Sequence, residues 1–451
     1  MLIEFKVANY RSIRAEQTLS MVASNYSDEL PQNLISCDHV PGLKGTKLVK
    51  AVALYGANAS GKSNIVAALR FFAEFVRDSA TKLQPGAPTG AQPFKLDPAC
   101  LTEPSKFEIT AVINGIRTLY GLEMTRERVT SEYLVAYPNK RPQVWFERDW
   151  DEGKGKYVWS KSTVHFKHDA ALREKTRANA ALVTVSSQFG NDPAAKLTKW
   201  FSDLLMVMSL DQEFGFGLAA RIFLRLDPVK DVLIEGAKVA DFGVAEARVK
   251  DADAHDVFSA AMRRIYQDKP AKNAIAAELL RRGADAKTIG QQEWFTKDFG
   301  DLMGTISKPE LLHRGHNGEL FALEFDEAES TGTRRFLEIA AQLRLSELLA
   351  VPACYDEIEG SLHPLLVSTL LRTFFARVKP CQLIFTTHNP LLLDQTLLRR
   401  DQIWFTEKDQ EGATRLYPLT DFKPRKDESL VKGYLAGRYG GIPFIPEGLK
   451  F

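Results

Sequence analysis

Apolar and polar residues alternate over Ile3–Val7, and a mainly apolar run covers Val49–Tyr55, so both segments are predicted as strands. The second run leads through Gly56 into Asn64–Val76, where apolar residues recur at threes and fours. Strand, glycine turn and amphipathic helix is the predicted order. Pro, Gly and Ala dominate from Ser79 to Pro98, the text of a surface loop. Phe107–Ile113, Arg117–Met124, Tyr133–Tyr137 and Gln143–Arg148 then predict a mostly antiparallel layer, with Asn114-Gly115 as a hairpin-type turn. From about Ala170 to Gly300 the spacing turns helical, over Ala194–Met208, Gly217–Leu226, Val257–Ile265 and Ala271–Arg282. The last part alternates: strand Glu319–Phe325, helix Thr333–Leu349, strand Ala353–Tyr355, helix Leu365–Arg377, strand Gln382–Thr386. That order implies a parallel sheet with crossover helices. The expected fold class is α/β, one sheet assembled from both chain ends (1–125 and 311–451) around a mixed β and mainly helical insertion (126–310).

Composition narrows the class without naming a partner. The 451 residues are 45% hydrophobic and 26% charged, an ordinary globular balance. Lys+Arg 59 against Asp+Glu 57 leaves a formal charge of +2, so any nucleic-acid or membrane contact must come from a local patch. The cysteines Cys37, Cys100, Cys354 and Cys381 lack metal-site or redox spacing and read as buried small hydrophobes of a reduced compartment. No signal peptide and no apolar run long enough for a membrane span are seen, and a cytoplasmic location is expected.

The sharpest local signal is Gly56, Ala57, Asn58, Ala59, Ser60, Gly61, Lys62 and Ser63, which fits G-x-x-x-x-G-K-[ST] at a strand-to-helix joint. A random chain of this length matches on the order of one time in fifty. Small residues let backbone N–H groups curl around a phosphate at a helix N-terminus, Lys62 adds a full charge, and Ser63 can place its hydroxyl on Mg²⁺. The bland alternative is a glycine turn followed by an incidental Lys-Ser.

A second signal is an apolar strand ending in Asp356 and Glu357, the arrangement that such a loop needs on its neighbouring strand. Asp356 suits the Mg²⁺ hydration shell, and Glu357 is placed to orient or deprotonate an attacking water. Another strand ends in Thr387-His388-Asn389, and a histidine at the carboxyl end of a parallel strand sits where open α/β sheets bind ligands. His363, before Pro364, either caps a helix or touches a neighbouring subunit. Ser330 and Gly332 precede a helix, either as an N-cap and a turn residue or as a second phosphate-binding device. Asp251-Ala252-Asp253, with no strand predicted before it, reads as a solvated face.

With these elements in order, the sequence resembles the ABC-type P-loop ATPases of the OLD, RecF and SMC group, in which a signature loop one helix before the acidic pair completes the opposite subunit's site. Within the group, Phe5-Lys6-Val7-Ala8-Asn9-Tyr10-Arg11-Ser12-Ile13, Gln92-Pro93-Phe94-Lys95-Leu96, Glu329-Ser330-Thr331-Gly332-Thr333, Tyr355-Asp356-Glu357-Ile358-Glu359, Ser361-Leu362-His363-Pro364 and Thr386-Thr387-His388-Asn389 resemble the AAA15/AAA21-type ATPases of phage defence, most closely the AbiLi/RloA type. The resemblance implies that residues 56–63 bind ATP, that Ser63 and Asp356 hold Mg²⁺, and that Glu357 is the hydrolytic base. It implies His388 as the γ-phosphate sensor, Ser330 and Gly332 acting in trans in a head-to-tail homodimer, Arg11 at the nucleotide and Gln92 at the position of the Q-loop glutamine. Arg11 also reads as a solvated strand end.

OLD-family nucleases add a metal-binding Toprim domain, and none is expected here, since the residues after His388 are few and form no Asp-x-Asp pair. By resemblance, lethal chemistry then belongs to a separate effector, and the chain is expected to be a sensor or switch. A RecF/SMC-like DNA-repair ATPase is the alternative, with nucleic acid as its partner, although long heptad arms and a Cys-x-x-Cys hook are missing. A static nucleotide-binding scaffold is a third reading, opposed by the intact Glu357. The tail Asp421–Phe451 mixes basic and aromatic residues and either grips nucleic acid or a partner, or packs on the ATPase core.

Overall fold

The computed structural model describes residues 1–25, 30–161, 163–209, 231, 235–236, 244–253, 305–324, 330–360, 362–377 and 381–442. The chain forms two compact units, Met1–Met208 with Ser346–Phe451, and Ser209–Leu345. The segment expected as an insertion, 126–310, is divided between them at residue 208. The helices expected at Gly217–Leu226, Val257–Ile265 and Ala271–Arg282 lie outside the described residues.

In chain order, β1 (Leu2–Ala8), β2 (Gln17–Ser20), β3 (Leu34–Ser36), β4 (Lys47–Val49) and β5 (Ala51–Gly56) lead into α1 (Lys62–Asp78). Strands β6 (Ser105–Ile113), β7 (Ile116–Met124), β8 (Val129–Tyr137), β9 (Gln143–Asp151) and β10 (Lys156–Trp159) follow, then α2 (Ala170–Lys175), α3 (Leu182–Gln188) and α4 (Asp192–Ser209). The second unit contains β11 (Val244–Asp253), β12 (Thr305–Arg314) and β13 (Leu320–Glu324), which form an antiparallel sheet, and the start of α5 (Thr331–Leu349). The chain then returns to the first unit with β14 (Ala353–Tyr355), α6 (Pro364–Ala376), β15 (Leu383–Thr386), β16 (Ile403–Lys408), β17 (Thr414–Pro418) and α7 (Leu430–Leu435).

Two main sheets build the first unit. A seven-stranded antiparallel sheet has the order β10-β9-β8-β7-β6-β1-β2, and a five-stranded sheet has the order β14-β15-β5-β16-β17. In the second sheet β14, β15, β5 and β16 are parallel and only β17 is antiparallel. The α/β sheet assembled from both chain ends is therefore present. Two expectations change. The run Val49–Tyr55 is split at Lys50, whose ammonium turns aside to donate to the Phe375 and Arg377 carbonyls at the end of α6 (2.9 and 2.6 Å). A cation there meets the negative end of the helix dipole. The acidic pair also does not follow the immediate neighbour of β5, because β15 lies between β5 and β14.

Helix α1 buries Ile65, Val66, Leu69, Phe72, Ala73, Phe75 and Val76, a stripe at helical spacing. Phe72 stacks on Phe107 of β6 and Tyr120 of β7 (centroids 5.7 and 5.8 Å) and meets Phe201 of α4 edge-on at 5.1 Å. The helix that leaves β5 is thus fixed by aromatic packing on the antiparallel sheet. In the second unit the helical expectation for 170–300 fails at Val244–Asp253, where alternating residues pair with β12. Asp251 and Asp253 end that strand opposite Ser307 and Thr305, which corrects their reading as residues without a strand before them.

The antiparallel layer also holds an ion pair with no side-chain exposure, Glu132 with Arg148 at 2.7 Å. Glu132 accepts from Tyr120 Oη and from the Leu182 and Val183 amides at the start of α3, while Arg148 donates to the Ala180 carbonyl. One carboxylate therefore ties three strands and a helix terminus together. Removing one member strands the other in a low-dielectric interior, so Arg148→Ala is expected to destabilise the first unit by about 3–5 kcal/mol. Replacing both by apolar residues of similar volume should cost clearly less than that single change. Denaturant unfolding of the three proteins checks the order, and equal losses would remove the pair from its tying role.

Candidate functional site

The phosphate-loop motif lies where β5 becomes α1. Gly61 has φ +109°, and a Cβ there would overlap the Thr414 side chain, so the backbone turn and the strand beneath it both require glycine. Ala59 takes a left-handed φ of 63° without being glycine. The loop rests on hydroxyls from the two C-terminal strands: Ser60 Oγ meets Thr406 Oγ1 at 2.6 Å, and Thr414 Oγ1 donates to the Ser60 carbonyl at 2.9 Å. Lys62 is buried and donates to the Gly56 and Ala57 carbonyls (2.7 and 3.1 Å). An ammonium has three donors, so one more remains for an anion. Burial pushes the Lys62 pKa down, and the charges of Asp356, Glu357 and Glu359 act in the opposite direction.

The acidic pair reaches this loop. Ser63 Oγ donates to Asp356 Oδ1 at 3.0 Å, and Thr386 Oγ1 donates to the same oxygen at 2.7 Å. Glu357 has a left-handed φ of 52°, its N–H donates to Thr386 Oγ1 at 2.7 Å, and its side chain is 64% exposed. His388 Nε2 lies 3.7 Å from Glu357 Oε1, and the His388 N–H donates to Glu359 Oε1 at 2.6 Å. The loop, Asp356, Glu357 and His388 therefore converge at the carboxyl ends of adjacent parallel strands.

A hydroxyl and a carboxylate 3.0 Å apart beside a phosphate loop are hard oxygen donors that fit Mg²⁺, a cation usually held by one or two carboxylates, waters and substrate phosphates. Among the described residues no cluster of three or more His, Cys, Asp or Glu side chains offers an all-protein metal cage, and this kind of site does not need one.

Other sequence-predicted residues divide. Ser330 accepts from the Thr333 N–H at 3.0 Å and so caps α5, and it stands with Gly332 in the second unit. His363 caps α6, accepting from the Leu365 N–H at 3.3 Å. The exposed Arg11, with φ 51°, donates its N–H to the Gln92 carbonyl at 2.7 Å. Both residues line a cavity of about 330 Å³ with Ser12, Asn64, Lys95 and Lys408, beside the first turn of α1. In the tail, Tyr434 and Tyr439 are buried and stack on Phe405, so these two aromatics pack on the core, whereas Lys423, Arg425 and Lys426 are exposed. Phe444 lies outside the described residues.

Sequence reasoning did not single out Thr386, Thr406, Thr414, Ser12 or Asn64 as site residues. Asn64 Nδ2 donates to Ser12 Oγ at 2.7 Å, and Ser12 Oγ meets Thr414 Oγ1 at 2.8 Å, which continues the hydroxyl layer under the loop. The available signal was weak, a threonine just before Thr387-His388 and threonines in strands that favour them anyway.

Among solved structures, similar chains include the SMC head bound to the C-winged helix domain of ScpA (13% identity, 94% of this chain and 99% of that chain covered, TM-score 0.42). The SMC head domain from Thermotoga maritima follows (13%, 92% and 98%, 0.39), as does the Smc head domain with an extended coiled coil bound to the C-terminal domain of ScpA derived from Pyrococcus furiosus (11%, 94% and 97%, 0.32). No curated protein matches the chain. Residues 51–394, a span that contains the phosphate loop, the acidic pair and His388, match the family described as "AAA domain, putative AbiEii toxin, Type IV TA system", and the chain belongs to this family of P-loop ATPase domains.

Proposed function

We propose that this chain binds ATP with Mg²⁺ and hydrolyses it, and that it serves as the sensor or switch subunit of an AbiLi/RloA-type anti-phage system acting through a separate effector. The observation that carries the chemistry is the convergence of Lys62, Ser63, Asp356, Glu357 and His388 on one sheet edge. The toxin–antitoxin description of the family and the sequence resemblance support the defence role.

In this reading the amides of residues 56–63 and the Lys62 ammonium bind the triphosphate. Ser63 and Asp356 would hold Mg²⁺, which would supply positive charge against the phosphates. The exposed Glu357 carboxylate takes a proton from water as the water oxygen bonds to the γ-phosphorus and the bond to ADP breaks. His388 donates a hydrogen bond to the γ-phosphate. Ser330 and Gly332 of a second copy close over the nucleotide, giving a homodimer with ATP between subunits. Opening and closing of that dimer is the movement an effector would read.

Glu357→Gln should lower ATP turnover by about 10²–10⁴-fold while leaving nucleotide binding intact. It should also accumulate an ATP-dependent assembly of twice the protomer mass in size-exclusion light scattering. Wild-type turnover in this variant would remove Glu357 from the chemistry. A second test concerns the shared site: Lys62→Ala and Ser330→Arg should each be inactive alone, and mixing them should restore activity through the one site that keeps both intact parts. No recovery on mixing would argue against action in trans. If turnover instead rises with added duplex DNA, and the chain with its neighbouring effector leaves phage plating unchanged, the RecF/SMC-like repair reading replaces the defence reading.

A further inference from the structure

We infer that Thr386 is a positioning residue for hydrolysis, setting the metal carboxylate and the general base relative to each other through one buried hydroxyl; this rests on the hydrolytic reading above. Thr386 closes β15, is fully buried, and sits on the strand between the phosphate-loop strand and the strand of the acidic pair. A hydroxyl offers one donor and two acceptor positions. Here the donor goes to Asp356 Oδ1 at 2.7 Å and one acceptor takes the Glu357 N–H at 2.7 Å. The Thr386 carbonyl also accepts from the Ile358 N–H at 3.1 Å, so the same residue grips the backbone on both sides of Glu357.

Two features of the site need such a crossbar. Asp356 Oδ1 is the oxygen that Ser63 also reaches, so Thr386 fixes from β15 the same atom that the phosphate loop contacts. Glu357 keeps a left-handed backbone without being glycine, a conformation that persists only where neighbouring contacts enforce it. The hydrogen bond from its N–H to Thr386 is such a contact. The rest of β15 is Leu383, Ile384 and Phe385, all buried. A valine would satisfy that packing, so the hydroxyl is what distinguishes threonine here.

Thr386→Val keeps shape and removes only the hydroxyl. It should leave nucleotide affinity in EDTA unchanged, raise the Mg²⁺ concentration needed for half-maximal nucleotide binding by about 10- to 100-fold, and lower kcat by a similar factor. Thr386→Ser should restore both to near wild type. Thr386→Ala carries the same expectation as the valine variant and replaces it should that protein not fold. Binding titrations with a fluorescent ATP analogue across Mg²⁺ concentrations, beside steady-state turnover, separate the outcomes. Wild-type Mg²⁺ dependence and kcat in a folded Thr386→Val or Thr386→Ala protein would overturn the inference, as would a serine variant as impaired as the valine one. A wild type that binds Mg²⁺-ATP without turning it over refutes the hydrolytic reading instead, and the Mg²⁺ titration then still decides whether Thr386 holds Asp356.

Discussion

The structure depends on the insertion of β15 between β5 and β14, all three strands running the same way. Parallel neighbours cannot be joined by a tight turn, so their carboxyl ends meet on one edge only because long connections carry the chain back each time. The register sets Thr386 opposite Leu54 and Phe385 opposite Tyr355. The Thr387 N–H adds one more bond to the Leu54 carbonyl at 3.0 Å. Asp356 follows directly after β14, Thr387 and His388 follow β15, and the phosphate loop follows the end of β5. A register slip of one residue would turn Thr386 to the other face and separate Asp356 from Ser63.

The first unit uses α1 twice. Its N-terminus carries the phosphate loop, and its middle supplies Phe72 to the aromatic core with Phe107, Tyr120 and Phe201. Repacking that core would therefore shift the loop as well. From below, the loop is held by Thr406 and Thr414, more than three hundred residues later in the sequence. The N-terminal strand–loop–helix segment thus contains the motif without the structure that shapes it, and the last strands have to arrive before the loop is fully supported.

This division explains what the sequence reveals and what it hides. Residues 56–63, Asp356, Glu357 and His388 are legible because each is a short run whose chemistry is local: small residues before Lys-Ser, carboxylates after an apolar strand, a histidine at a strand end. Strand order is not legible, and the expectation that the acidic pair follows the neighbour of β5 missed β15 for that reason. Alternation of strand and helix implies a parallel sheet without saying which strand lies inside. Val244–Asp253 falls inside a region whose flanking segments carry apolar residues at helical spacing; its pairing with β12 is a long-range contact that this local pattern does not contain. Thr386, Thr406 and Thr414 were hidden because threonine is an ordinary strand residue, and their second partners lie far away in the sequence.

Strain and electrostatics at the site follow from the same long-range assembly. Ala59 and Glu357 both hold left-handed backbone that isolated peptides of their sequence would disfavour. The neighbours that hold Glu357 come from β15, and the neighbours that support the Ala59 turn come from β16 and β17. Lys62, buried beneath the loop, feels Asp356, Glu357 and Glu359, three acidic residues from a single short segment after β14. An overall charge near zero therefore conceals local opposition of charge, with one buried ammonium at the loop and three acidic residues of the neighbouring segment acting on it. A phosphate at the loop would meet the Lys62 ammonium and the amides of the helix N-terminus on one side and this acidic segment on the other, and the hydrogen bond from Ser63 to Asp356 at 3.0 Å marks where the two sides touch.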